Sequence, residues 1–290
     1  MKTKWLVCRA FLERTAKDKS ETFATFLPPA EKESFLASKP LSTELCLGFD
    51  RTQYLLYSMH YSWIALYLRT LPKQEIALFL ALFSQEKNKS LRDYLLFLEP
   101  QMALTPLAQS FLLQKLSRNI FIKEDLLPID ALPPSPLNLL LQFSAENIHT
   151  LCEFLGLRDL AIELSQIIDT IRLKQIYAAL SKEKWTYLNV LLQKQEPVSF
   201  KKMEIHKGPL EAETLLLLLY KRGMNRLAKA LYTADKSLVW YVSHQMSGEQ
   251  ASLFFPLHKK LESPKAHSVL IDQVLEVSSF IKKQQAQAAS

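Results

Sequence analysis

Apolar residues recur along this chain at helical spacing. Leu238, Val239, Val242 and Met246 fall at i, i+1, i+4 and i+8, the stripe of a packed helix. A region dense in such patterning runs from about Arg51 to Asn119, and the pattern resumes from Leu137 to about Lys283. Between them lies KEDLLPIDALPPSPL, with four prolines from Pro128 to Pro136, a density that breaks both helix and sheet. The later region is interrupted at EPVSF (Glu196 to Phe200) and at HKGPLEAE (His206 to Glu213). Ahead of Arg51, FLPPAEKESFL places Pro28 and Pro29 before a short helix that Pro40 ends, and the tail QQAQAAS is expected to fray. The pattern predicts an N-terminal helical segment at 1–50, a helical domain at 51–125 and a proline-rich linker at 126–137. A helical repeat at 138–195 and a second helical domain at 196–290 follow.

One phrase occurs twice, as GLRDLAIEL from Gly156 and as GMNRLAKAL from Gly223. An apolar run precedes each glycine, which is expected to close a helix in the left-handed conformation. Leu160, Ala161 and Leu164, then Leu227, Ala228 and Leu231, place leucines and a small alanine on one face of a following helix. Ser247 is a predicted N-cap, with Glu249 in the first turn where the helix dipole favours an acid. Ile64 to Phe83 matches Leu227 to Met246 without a gap. Ala65 pairs with Ala228, Leu68 with Leu231, Thr70 with Thr233 and Lys73 with Lys236. Beyond it, Ser84 pairs with Ser247 and Glu86 with Glu249. The predicted unit is helix, capped turn, helix, then a serine-capped third helix. Such units stack into armadillo-like arrays because one alone cannot bury its apolar face.

Composition reinforces the fold class. Five glycines in 290 residues cannot supply many hairpins or phosphate-cradling loops, and the commonest residues are strong helix formers. The expected class is all-α, with armadillo-like repeat units in two to three small domains. The net charge of +7 suits an acidic partner, but the lysines are scattered among acids, the pattern of a solvated surface. Cys8, Cys46 and Cys152 read as reduced, mostly buried thiols of a cytosolic protein. The apolar run of MKTKWLVCRAFLER stops at Arg9, too short for a secretion signal. Tyr54 to Leu71 contains Ser58, His60, Ser62 and Arg69 and reads as two buried helical pieces rather than a membrane span.

These residues resemble the flagellar motor switch protein FliG family, built from small armadillo-like helical domains. Its middle domain carries Glu-His-Pro-Gln, then Thr-Ile-Ala and an apolar helix pair split by Leu-Pro. MHYSWIALYLRTLPKQEIALFLALF keeps His60, Ile64, Ala65, Leu71 and Pro72. Its C-terminal domain runs from a charged helix into Leu-Ala-x-Ala-Leu and an Asn-Met-Ser step, matched in spacing by Leu227, Ala228, Ala230, Leu231, Met246 and Ser247. PVSFKKMEI (Pro197 to Ile205) is similar to the hinge before that helix. The resemblance covers roughly Arg51 to Lys283. It implies domain 51–125 as FliG middle-like and 196–290 as FliG C-terminal-like, and the family's N-terminal membrane-ring domain as absent or reduced.

Departures redirect the function that the resemblance implies. Met59, Tyr61 and Ser62 replace the acid, proline and glutamine of the partner motif. Glu211, Ala212 and Glu213 replace the acid–acid–base cluster of the stator-facing helix, with Tyr220 at its later basic position and LLLLL between. Rotor electrostatics need charge there. The implied role is therefore an adaptor of a non-flagellar type III secretion apparatus, cytoplasmic and peripheral at the inner membrane, within a homo- or hetero-oligomeric assembly. Its implied partners are a membrane-ring cytoplasmic tail, a C-ring protein or an ATPase-stator protein. The partner-binding candidates are His60, Tyr61, Ser62, Trp63, Glu211, Glu213 and Lys221. His60 has an alternative role, capping or stacking in the core, and Glu211 and Glu213 suit a first helical turn by the dipole alone.

Other chemistries lack their sequence signatures. No glycine-rich nucleotide loop or nucleophile elbow occurs, no two histidines stand at i, i+4, and no cysteine has a ligand at zinc-finger spacing. No enzyme activity, cofactor, metal or small-molecule substrate is expected. The row Leu215 to Leu219 reads as an all-round buried helix. Two alternatives stand beside the adaptor: a true flagellar rotor component, and a basic helical-repeat protein binding nucleic acid, motivated by pairs such as Lys201-Lys202 and Lys259-Lys260.

Overall fold

A computed structural model describes residues 20–36, 56, 58–98, 103–121, 126–127, 129–167, 169–194, 196–200, 202–203, 205 and 211–289. Cys8, Cys46, Pro40, Pro128, Lys201 and the interruption at 206–210 lie outside the described residues, as does most of the predicted segment 1–50. Every regular element among the described residues is helical. The chain divides into two units between Pro133 and Pro134.

In the first unit, α1 (Ser20–Ala24) and α2 (Pro29–Leu36) meet through Phe23 and Phe35, whose ring centroids lie 5.7 Å apart. Pro29 opens α2, where its missing N–H would have found no intrahelical partner. Four further helices follow: α3 (Tyr61–Leu68), α4 (Lys73–Leu80), α5 (Gln85–Leu95) and α6 (Pro106–Phe121). Their core includes Ile64, Leu68, Phe79, Leu80, Leu91 and Leu116, all buried. Asn88 donates to the Leu80 carbonyl at 2.6 Å, joining the Phe83 amide on a carbonyl at the end of α4.

In the second unit, a 3-10 segment (Pro136–Gln142) leads into α7 (Ala145–Leu164), α8 (Thr170–Ala179) and α9 (Lys182–Leu192). After the non-helical stretch 196–200 come α10 (Ala212–Ala230), α11 (Lys236–Gln245), α12 (Gly248–Leu257) and α13 (Pro264–Ala289). The expected boundary between 195 and 196 falls inside this unit, because α7 and α10 are packed directly against each other within one hydrophobic core. Cys152, on α7, is a buried free thiol.

The glycines of the repeated phrase do something other than end helices. Gly156 lies inside α7 and Gly223 inside α10, and neither has a positive φ. A Cβ on Gly156 would stand 2.0 Å from the Leu219 carbonyl oxygen, and one on Gly223 would stand 1.6 Å from that of Cys152. Each is backbone rather than a movable side-chain tip, so only glycine permits this approach. Leu219 and Cys152 each stand four residues before the glycine of their own helix. The two copies of the phrase thus meet each other, in nearly equivalent roles.

A second correspondence joins the units. A twelve-residue interval separates Pro72 from Ser84, Asp169 from Ser181 and Asp235 from Ser247. These are the N-caps of α4 and α5, α8 and α9, and α11 and α12. Asp169 accepts from the amides of Ile171 and Arg172, Asp235 from Ser237, Ser181 from Lys184 and Ser247 from Gln250. Ser247 completes a capping box, since Gln250 accepts from the Ser247 amide at 3.1 Å. Aligned apolar positions are buried in both gapless copies: Ile64 with Leu227, Leu68 with Leu231, Phe79 with Val242 and Phe83 with Met246.

Candidate functional site

Charged residues inside the repeated phrase converge beside the glycine crossing. Asp159 and Arg226 each stand three residues past their glycine, and Arg226 donates to Asp159 Oδ1 at 2.5 Å. Arg226 is fully buried. It also donates to Gln273 on α13 at 2.7 Å, to the Val198 carbonyl at 2.9 Å and to Glu196 Oε1 at 3.3 Å. Glu196 takes a second arginine on its other oxygen: Arg158 donates to Oε2 at 3.1 Å, to the Tyr187 hydroxyl at 3.2 Å and to Glu276 at 2.5 Å. Two buried guanidiniums therefore share one carboxylate, each with a further acid of its own. Burial raises the Asp159 pKa and the adjoining Arg226 opposes that rise. An ion cluster this deep adds little net stability, but losing one member strands the rest.

This cluster holds the 196–200 segment against the helices and sets Phe200 beneath a cation, with the Arg226 guanidinium 5.3 Å from its ring centroid. Phe200 in turn lines a groove of about 660 Å³ beside α10 and α12. The groove's apolar lining includes Met224, Leu253 and Leu257, and Leu253 remains 42% exposed. Lys221, Arg222 and Lys229 also line it, and no acid does among the described residues. Arg222 is steadied by donating to the Lys202 carbonyl at 2.9 Å. The Lys229 pKa is lowered, first by burial and then by the neighbouring cation Lys259.

Of the residues singled out by sequence, His60, Tyr61, Ser62 and Trp63 lie together at the start of α3 in the first unit. His60 is the N-cap: its Nδ1 accepts from the Ser62 amide at 3.2 Å and lies 2.9 Å from the Ser62 hydroxyl. Its ring sits 4.2 Å from that of Tyr61. Burial, then the charge of Lys87, lowers the His60 pKa. Ser62 is buried, while Tyr61 and Trp63 are half-buried. Glu211, Glu213 and Lys221 are all exposed on the second unit, Glu211 as the N-cap residue of α10 without a side-chain cap bond. Of these three, Lys221 reaches the groove. The leucine row is buried on one side only: Leu215 and Leu219 are inaccessible, whereas Leu217 is 52% exposed, because a helix against one partner layer presents a single stripe to it.

Sequence reasoning missed the arginine cluster and the groove. The cluster had a signal, since Arg158, Asp159 and Arg226 are charges inside otherwise apolar phrases. Glu196 had none, lying in a stretch read only as an interruption. Among the described residues, no group of three His, Cys, Asp or Glu side chains is placed to hold a metal ion, and no helix is long and apolar enough to cross a membrane. Compared with protein-family models, curated proteins and solved structures, the chain matches none.

Proposed function

We propose that this chain is a non-catalytic structural adaptor at the cytoplasmic base of a type III secretion apparatus, resembling the FliG family. In this reading the thrice-used succession of three helices, whose last two starts stand twelve residues apart and are side-chain capped in the two later copies, is an armadillo-like unit. Such units serve by presenting helix faces to other proteins. The supporting observation is that succession itself, with caps at one twelve-residue interval and aligned core positions buried in both gapless copies. The adaptor sits at the inner membrane through its partners: a membrane-ring cytoplasmic tail, a C-ring protein or an ATPase-stator protein. An adaptor rather than a rotor is favoured because exposed Leu217 interrupts the outer face of α10, where torque would require charge.

Affinity purification with crosslinking in the native bacterium tests the reading. Recovery of one of those three partner classes is expected. Recovery of none of them sinks it.

A further inference from the structure

We propose that the groove beside α10 and α12 binds an acidic amphipathic helix of a partner protein. This rests on the adaptor reading only for the partner's being a protein; the chemistry of the ligand comes from the groove.

Charge is the first reason. Lys221, Arg222 and Lys229 line the groove with no acid among its described lining residues, and Lys259 adds its repulsion at Lys229. Arg222 already feels the buried Asp159, so Lys221 and Lys229 are the cations that an anionic ligand would relieve. The apolar lining is the second. Phe200, Leu253 and Leu257 offer carbon, not hydrogen-bonding groups, and exposed Leu253 gains by being covered. A ligand must therefore supply apolar side chains on the face it buries and carboxylates along the edges of that face, the pattern of an acidic amphipathic helix laid in a groove.

Size agrees. Lys221 and Lys229 are eight residues apart on one helix, on the order of 12 Å, which spans roughly two turns of a bound helix. A nucleic acid would leave Leu253, Pro256 and Leu257 against phosphate or sugar, and Phe200, already beside the Arg226 guanidinium, is one ring rather than a row of stacking platforms. A lipid bilayer is best met by a protruding face, and these cations line a concavity.

Fluorescence anisotropy with a labelled peptide tests the proposal. The probe is a helical peptide of about four turns, with a stripe of leucines flanked by glutamates, titrated with the full chain. Saturable binding is expected, weakened about tenfold by Lys221→Glu/Lys229→Glu and by Leu253→Asp, and weakened further by salt. Circular dichroism checks the fold of each variant, and Lys221→Gln/Lys229→Gln replaces the reversed pair should that pair not fold. No binding, equal binding by the lysine variants, or equal binding of a peptide with lysine in place of glutamate overturns the groove assignment. So does lysine-dependent sedimentation with phosphatidylserine vesicles when the peptide fails to bind. Peptide binding without recovery of any basal-apparatus protein would refute the adaptor role and keep the groove. Apparatus recovery by a variant set that leaves peptide binding unchanged would refute the groove alone.

Discussion

Arg226 and Asp159 lie 2.5 Å apart, each three residues beyond the glycine of its own helix. One crossing thus brings two copies of a phrase together so that their glycines admit the backbones and their charges neutralise one another. The consequences are measurable.

Gly223→Ala should destabilise the second unit by roughly 1–3 kcal/mol or more, since its methyl would meet the Cys152 carbonyl. That exceeds the ~1 kcal/mol alanine gains over glycine inside a helix. Gly156→Ala should act alike, and the double variant should lose less than the sum, because one separation of the helices accommodates both methyls. Urea unfolding gives the values. A stability gain in either single variant would mean that the helices do not cross here.

Arg226→Met should cost about 3–5 kcal/mol by leaving Asp159 and Glu196 buried with a partner missing. Replacing the pair together, as Arg226→Met/Asp159→Leu, should restore part of that loss. Denaturant midpoints for the two singles and the double yield the coupling energy. Strict additivity would exclude the paired cluster.

His244 stacks on Trp240 with ring centroids 3.8 Å apart, and its Nδ1–H donates to the Trp240 carbonyl at 2.8 Å. Burial depresses its pKa from the ordinary 6.5 to about 4, the carbonyl bond opposing. A depressed folded pKa makes its contribution complete above 6.5. As pH falls from 6.5 toward 4, the unfolded chain takes up the proton first, and stability is lost across that window. His244→Phe should flatten the slope. Thermal melts of both proteins from pH 7 to pH 4 compare them; parallel curves would refute the assignment.

His60→Ala should lower stability by about 1 kcal/mol through loss of the α3 N-cap, whereas His60→Asn, a good capping residue, should restore it. If His60 instead contacts a partner, both variants lose partner recovery and the asparagine rescues nothing. Melting temperature and affinity recovery on the same three proteins separate these roles.

Helices were legible in the sequence because their causes are local. The apolar stripe at Leu238, Val239, Val242 and Met246 and the cap at Ser247 act within a few residues, and α11 and α12 form where those signals stand. Even the missed caps were written plainly, with Asp169 and Ser181 spaced as Asp235 and Ser247 are. Repetition was legible as well, though not its purpose. A glycine after an apolar run satisfies the rule for a helix end, and it equally satisfies the need of a close crossing. Local sequence cannot distinguish the two, because the deciding atom belongs to another helix.

By itself, then, the sequence determined an all-helical chain, several helix starts such as the one at Ser247 and a repeated phrase, all consequences of short-range periodicity and capping. Tertiary structure alone decided that Gly156 and Gly223 are a crossing, that Glu196 bridges two arginines, and that Lys221 and Lys229 share a groove with Leu253. Those facts depend on which helix faces come within a few ångströms of one another, and packing across distant parts of the chain sets that.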